Sequence, residues 1–179
     1  MKSAIDLAIE EIGTVEWAKG SNPKVVAYYK DAGHPEIVDD AVSWCAAFVG
    51  AMLKRSGVKP SGSLLARSYL KWGNEVPIAK AQRGDIGVIP RGDPWQGHVF
   101  FIEKIEGGRV HAIGGNQKDS VNRTTFAVAS LIGVRRAVAV KPISHVNETP
   151  KTEHVAPIML KKSPLAALLA FILSLFRKG

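Results

Sequence analysis

The sequence contains a single cysteine, Cys45, among 179 residues. One cysteine excludes an internal disulfide, so the fold must be stabilised by burial of apolar side chains. The sequence also lacks an uninterrupted apolar run near its start, because Asp6, Glu10 and Glu11 break the first apolar stretch. We therefore expect no secretory signal in this region and expect synthesis in the cytoplasm.

Acidic side chains are scarce in the last part of the chain. Residues 1–140 hold 18 basic and 14 acidic side chains, whereas residues 141–179 hold 6 and 2, so half of the net charge of +8 falls in the shorter segment. The longer segment has no basic stripe with interleaved aromatic residues, which argues against nucleic acid as a partner. An anionic membrane or cell-wall polymer fits this distribution better.

Composition divides the chain into three parts. A hydrophobic share of 46% and a charged share of 22% are typical of a globular protein, and residues 1–140 are enough for one domain. Residues 141–163 are polar and proline-containing, which predicts a flexible linker. Residues 164–179 predict an apolar helix with basic flanks.

The apolar segment Leu165–Phe176 is interrupted only by Ser174. As a helix it would be about 18 Å long, well short of the roughly 30 Å hydrocarbon core of a bilayer. It could dock on the domain, or it could insert shallowly into a membrane. We favour contact with a membrane or an anionic envelope, because basic residues flank the segment: Lys161, Lys162, Arg177 and Lys178.

The spacing of apolar residues changes along the first 140 residues from helical to strand-like. Helices are predicted at 5–12, 25–29, 41–57 and 64–72. Strands are predicted at 86–89, 98–105, 109–113 and 131–140. This order predicts an α+β fold in which N-terminal helices pack on a small antiparallel sheet.

Cys45 follows Trp44 near the predicted start of the third helix. Asp39 and Asp40 precede this helix and could cap it, and unpaired backbone N–H groups at a helix N-terminus would stabilise a thiolate. The alternative is that Cys45 is a small core residue, as most free cysteines are.

A cysteine nucleophile needs a base that accepts its proton, and histidine suits this task. His98 opens a predicted strand, so its imidazole should lie at the end of the sheet. Alternatively, it is a strand-end histidine bonded to a neighbour. His111 lies within the next strand and is expected on the sheet surface, and His34 is expected in an exposed loop.

The base must be held in one orientation by a third polar group. If residues 106–108 form a three-residue hairpin loop, His98 lies opposite Asn116. If Gly107 and Gly108 alone form the loop, His98 faces Gln117 instead. We prefer Asn116, with Gln117 as the second choice.

Four segments together resemble a known family: 44–49 with Trp-Cys-Ala-Ala-Phe-Val, 84–89 with Gly-Asp-Ile-Gly-Val-Ile, 97–101 with Gly-His-Val-Phe-Phe, and 114–117 with Gly-Gly-Asn-Gln. The chain resembles the CHAP and NlpC-type cysteine hydrolases of peptidoglycan over residues 3–137, and most closely their small phage endolysin-like branch. The resemblance implies a papain-like fold, with Cys45 as nucleophile, His98 as base and Asn116 as the residue that orients it. No acidic cluster like the calcium loop of some CHAP domains is visible, so no metal or cofactor is expected.

These observations predict an endolysin-like enzyme that cleaves an amide bond of peptidoglycan. It would be either an N-acetylmuramoyl-L-alanine amidase or an endopeptidase of the peptide stem. Trp44, Trp95 and Tyr69 are candidates for lining the substrate cleft. We expect a monomer, made in the cytoplasm of a bacterial host and acting in the envelope.

Two other functions are compatible with the sequence. The domain could be a non-catalytic wall- or membrane-binding lysis protein whose segment Leu165–Phe176 disrupts the membrane. It could also be a papain-like peptidase that acts on protein.

Overall fold

The structure is a computed structural model that describes residues 1–138. This part contains three α-helices followed by a six-stranded antiparallel sheet, which confirms the predicted α+β class. The predicted linker 141–163 and the predicted apolar helix 164–179 lie outside the described residues. Within residues 1–138, no helix is long and apolar enough to cross a membrane.

The helices are α1 Ala4–Glu10, α2 Pro23–Ala32 and α3 Cys45–Arg55. The strands are β1 Asn74–Glu75, β2 Ile86–Pro90, β3 Gly97–Glu106, β4 Arg109–Gly114, β5 Asn122–Ala127 and β6 Gly133–Arg136. Short 3-10 helices cover Ala66–Lys71, Ile78–Lys80 and Val128–Ser130. The predicted α-helix at 64–72 is thus a 3-10 helix, and the predicted strand 131–140 is limited to β6 within the described chain.

Helix α3 lies at the centre of the helical layer. All residues from Cys45 to Leu53 are buried, and the helix contacts α1, α2 and β3. The residue before it, Trp44, is also buried and stacks on Tyr28 of α2 with ring centroids 6.0 Å apart. The N-terminus of α3 is therefore held firmly between the helices and the sheet.

The prediction that Asp39 or Asp40 caps α3 is wrong. The helix begins at Cys45, and no side chain caps it. Asp40 instead accepts a hydrogen bond from the backbone N–H of Asn22 at 2.8 Å, and Asp39 accepts one from that of Ala41 at 3.1 Å. These carboxylates thus satisfy donors of the loops instead of the first N–H groups of the helix.

The sheet has the strand order β1-β6-β2-β3-β4-β5. Side chains alternate along β3, so Val99 and Phe101 belong to the core shared with the helices, whereas Phe100 and Ile102 belong to a second core. His98 has the same parity as Phe100, and their ring centroids lie 5.7 Å apart. The alternation therefore places His98 with the second core.

The hairpin between β3 and β4 combines both predicted registers. Glu106 pairs with Arg109, so the loop consists of Gly107 and Gly108 alone. A register shift between Ile102 and Lys104 then moves the pairing by one residue, as in a β-bulge. Because β4 ends at Gly114, pairing stops before it reaches His98, and the loop after β4 determines which side chain meets the histidine.

Candidate active site

Cys45 is the first residue of α3 and is 2% exposed. Burial is the largest influence on its thiol and raises the pKa. The backbone of Val99, the Ser43 side chain and the backbone of Ala46 act in the opposite direction and lower the pKa. The first N–H groups of a helix have no intrahelical partner and also favour a negative charge, but burial outweighs these influences and the pKa of the thiol stays raised.

His98 is the second residue of β3 and is 3% exposed. Burial lowers the pKa of its imidazole to about 4, with a smaller contribution in the same direction from the charge of Arg91. The hydrogen bond with Gln117 acts in the opposite direction. His98 is therefore neutral at neutral pH, which is the form that can accept a proton.

Gln117 makes the hydrogen bond that fixes the His98 ring. The distance between His98 Nε2 and Gln117 Oε1 is 3.0 Å. The other end of the Gln117 amide donates to Asn122, to the backbone oxygen at 2.8 Å and to Oδ1 at 3.0 Å. Because the amide nitrogen is engaged there, Oε1 must accept, and the imidazole proton lies on Nε2.

This tautomer leaves a lone pair on Nδ1 of His98. That atom is buried and has no hydrogen-bond partner among the described residues. A buried polar atom without a partner is costly and rare in folded proteins. Nδ1 is therefore the atom of this site most suited to take a proton from a nucleophile or a substrate.

The loop that carries Gln117 has an unusual backbone. Asn116, Lys118 and Asp119 have φ angles of 55°, 53° and 57°, in the left-handed region. Asn122 holds the loop, because its Nδ2 donates to the backbone oxygen of Gln117 at 2.6 Å and to Ser120 Oγ at 2.9 Å. Such strain persists only where the surrounding contacts determine the conformation.

The structure brings His98 to Gln117, the second choice for the third residue, rather than to Asn116. The left-handed turn at Asn116 directs its amide elsewhere, and Nδ2 lies 3.5 Å from Ser43 Oγ. The preference for Asn116 is thus corrected by the loop that follows β4. Asn122 was not predicted as a site residue, because an asparagine in a polar stretch gives no signal of such a role.

Cys45 and His98 lie at the same end of β3 but are not hydrogen-bonded to each other. The backbone of Val99, the residue after His98, lowers the pKa of the Cys45 thiol, so the sulfur borders β3. Val99 shares a core with Cys45, whereas the His98 ring packs on Phe100 and Phe126, so the two side chains lie on opposite faces of the strand. They line different cavities, of about 200 Å³ for Cys45 and about 450 Å³ for His98. Arg91 lines both cavities.

Two of the three predicted cleft aromatics are core residues. Trp44 and Tyr69 are completely buried, and neither lines the cavity at Cys45. Trp44 donates from Nε1 to Glu16 Oε2 at 2.9 Å, so its polar atom is satisfied inside the fold. These two predictions are wrong. Trp95, in contrast, is 61% exposed and lines the cavity at Cys45.

The other histidines of the described chain lie apart from this site. His111 Nε2 lies 3.9 Å from Glu106 Oε2 on the sheet, and His34 Nδ1 lies 3.1 Å from Glu36 Oε1 in a loop. Residues 1–138 contain no group of three or more histidine, cysteine, aspartate or glutamate side chains placed to hold a metal ion.

The comparison with known proteins gives structural neighbours only. No protein-family model matches the chain, and no curated protein sequence matches it. A protein of Staphylococcus aureus described as similar to a lipoprotein of the NLP/P60 family superposes with a TM-score of 0.46 at 16% identity, over 76% of this chain and 41% of that one.

Two further solved structures are similar at the same level. An NlpC/P60 family protein of Bacillus cereus superposes with a TM-score of 0.37 at 19% identity, over 51% of this chain and 30% of that one. A protein named Ly7917 superposes with a TM-score of 0.38 at 19% identity, over 74% of this chain and 60% of that one. The chain spans less than two thirds of each neighbour, and likeness at this level carries no argument about activity.

Proposed function

We propose that the chain is a cysteine hydrolase that cleaves an amide bond of bacterial peptidoglycan. The observation that carries this proposal is the His98–Gln117 pair, which leaves a buried, unprotonated Nδ1 on the residue that precedes Val99, and the backbone of Val99 borders the Cys45 thiol. A neutral histidine held in one tautomer and a thiol at a helix N-terminus are the two groups that thiol-dependent acyl transfer needs. Peptidoglycan as substrate rests on the sequence resemblance.

In this mechanism His98 Nδ1 accepts the Cys45 proton, and the sulfur attacks the carbonyl carbon of the amide. The leaving amine takes the proton from the imidazolium as the C–N bond breaks, and a thioester remains on Cys45. Water then attacks the thioester, with His98 as base, and releases the carboxylic acid and the thiol. Since the thiol and the imidazole are not hydrogen-bonded and lie on opposite faces of β3 in this structure, this mechanism requires one of the two side chains to change position when substrate binds.

The N-terminus of α3 is suited to stabilise the oxyanion that forms on the carbonyl. The backbone N–H of Cys45 has no intrahelical acceptor, and no side chain caps the helix. A donor fixed in this way needs no reorganisation as negative charge develops on the carbonyl oxygen.

Turbidity loss and zymography on purified bacterial walls test the proposal. Wild type should degrade the walls, and Cys45→Ala and His98→Ala should lose at least about 100-fold in rate, since each removes a group that acts directly. His111→Ala is the matched control and should keep full activity. Undiminished degradation by Cys45→Ala would refute the nucleophile.

A non-catalytic lysis protein remains the alternative from another class. Its proposed membrane contact rests on the segment 164–179, which lies outside the described residues. A chain truncated before residue 158 separates the two functions. The enzyme should still digest isolated walls, whereas a protein that acts through its tail should lose its effect on intact cells and should not digest walls in either form.

A further inference from the structure

The cavity next to His98 is lined by basic residues and by no acidic residue of the described chain. Its volume of about 450 Å³ is that of a site for a small organic molecule. Arg91 and Lys118 line it, are exposed, and form no ion pair with another described residue. The third basic residue, Arg123, is engaged with Glu103 at 3.1 Å. The cavity is therefore suited to an anionic group held by the first two cations.

The buried part of the lining contains one polar atom that lacks a partner. His98 is 3% exposed, and its Nδ1 has no hydrogen-bond partner among the described residues. Both ends of the Gln117 amide, in contrast, are engaged: Oε1 with His98 Nε2, and Nε2 with Asn122. Since the imidazole proton lies on Nε2, Nδ1 can only accept a hydrogen bond. An occupant of this cavity must therefore donate one to it, as a hydroxyl group does.

This cavity lies on the face of β3 opposite to Cys45. The His98 ring packs on Phe100 and Phe126, with centroids 5.7 Å apart in each pair, and Phe126 also lines the cavity. Val99, the next residue of the strand, belongs instead to the core that contains Cys45. Cys45 does not line this cavity. A ligand bound here is therefore separate from the hydrolysis proposed above, and its binding does not depend on that function.

We propose that this cavity binds a phosphate monoester of a small polyol, with the phosphate held by Arg91 and Lys118 and a hydroxyl donating to His98 Nδ1. Two cations suit a group with two negative charges, which a phosphate monoester nearly carries at neutral pH, whereas a carboxylate carries one. A guanidinium also matches two phosphate oxygens at once. Because a phosphate dianion has no proton to donate, the partner of Nδ1 must be a hydroxyl elsewhere on the same molecule.

Isothermal titration calorimetry of the full chain at about pH 8, where the phosphate is a dianion, tests this site. Glycerol 3-phosphate is the probe, and propyl phosphate, with the same charge but no hydroxyl, is its control. Glycerol 3-phosphate should bind saturably and about 3- to 10-fold more tightly than propyl phosphate, as expected for one hydrogen bond. The diester glycerophosphoglycerol keeps hydroxyls but has a single charge, so it should bind more weakly than glycerol 3-phosphate. Absence of saturable binding, equal affinity for the two monoesters, or tighter binding of the diester would overturn the inference.

Variants at the rim test where the phosphate binds. Lys118→Gln and Arg91→Gln should each weaken binding of glycerol 3-phosphate about 3- to 10-fold, because each removes a charged donor. Lys104→Gln is the matched control, since Lys104 lies outside the cavity and pairs with Glu106, and it should leave the affinity unchanged. Equal weakening by Lys104→Gln and Lys118→Gln would indicate a general attraction of anions to a basic surface and would overturn the site.

A variant of His98 tests the hydrogen bond to Nδ1. His98→Phe keeps a ring of similar size but removes the acceptor, so it should abolish the preference for glycerol 3-phosphate over propyl phosphate. A preference that persists in this variant would overturn the role of Nδ1. The comparison of the two ligands in wild type needs no variant, so it still decides the question where His98→Phe does not fold.

Discussion

Gln117 Oε1 accepts the hydrogen bond of His98 Nε2 at 3.0 Å, and this contact determines which ring nitrogen can act as a base. Because the Gln117 amide nitrogen is held by Asn122, the glutamine cannot rotate to donate to the ring instead. The proton therefore stays on Nε2 and the lone pair on Nδ1. The relationship explains why a buried histidine without a charged partner is kept in one tautomer.

Replacement of Gln117 should impair hydrolysis more than replacement of Asn116. Gln117→Ala frees the His98 ring to adopt the other tautomer, so kcat on purified walls should fall about tenfold or more. Asn116→Ala removes only a contact of 3.5 Å with Ser43 and should change kcat little. The reverse order would mean that the loop rearranges in the substrate complex and that Asn116 is the residue that holds the histidine.

Asn122 is expected to act through Gln117 as a positioning residue. Asn122→Ala removes the acceptor Oδ1 and the donor Nδ2, which hold the Gln117 amide and the loop. We expect kcat to fall several-fold with KM nearly unchanged. We also expect the acid limb of the pH profile of kcat to move, because the variant restricts the tautomer of His98 less. Asn122→Asp keeps the acceptor and should retain more activity. A fall in thermal stability alone, with an unchanged pH profile, would assign Asn122 a purely structural role.

The sequence allowed prediction of most of the scaffold, because strong apolar periodicity and glycine stops mark the elements concerned. Helices α1, α2 and α3 and strands β2, β3 and β4 all overlap the predicted segments. Strand β5 was not predicted, because Asn122–Ala127 is mostly polar and lies at the edge of the sheet, where few side chains are buried. Edge strands lack the apolar signal on which such predictions depend.

The site was harder to predict because it depends on a bulge and a strained loop. The two-residue hairpin loop alone would favour Gln117, but the register shift after Ile102 restores the pairing that favours Asn116. Only the left-handed turn at Asn116 brings Gln117 back to the histidine. Neither the bulge nor the turn follows from residue types that strongly prefer them. Residue spacing could therefore reduce the candidate partners of His98 to Asn116 and Gln117, but it could not decide between them.

The stability of the domain should fall as the pH drops from about 6.5 towards 4. In this interval unfolded His98 binds a proton, whereas folded His98, with its pKa lowered from 6.5 to about 4, does not. The unfolded state is therefore favoured progressively as pH falls, by about 3 kcal/mol over the whole interval. Below the folded pKa both states are protonated, so this contribution falls no further.

Denaturant titrations at a series of pH values measure this effect. His98→Gln should lack this part of the pH dependence, and His111→Gln, on the sheet surface, should retain it. If wild type and His98→Gln showed parallel curves, His98 would have to be hydrated or paired in the folded state, in conflict with its burial.

Gly115 should tolerate no side chain, because the loop after β4 passes close to the residues around Cys45. A Cβ atom at Gly115 would lie 2.5 Å from Trp44 Cζ3 and 2.6 Å from Phe48 Cβ, both of which are held in the packed core. Gly115→Ala should therefore lower the free energy of unfolding by about 1–3 kcal/mol, as overpacking does, and should displace Gln117 from His98.

Gly133→Ala is the matched control, since its Cβ would lie 2.5 Å only from Leu70 Cδ2, the mobile end of a partly buried side chain. Denaturant unfolding should show the larger loss for Gly115→Ala. Equal losses in the free energy of unfolding would show that the loop can move away from α3. The contact of Gly115 with Trp44 and Phe48 would then have no part in holding Gln117 against His98.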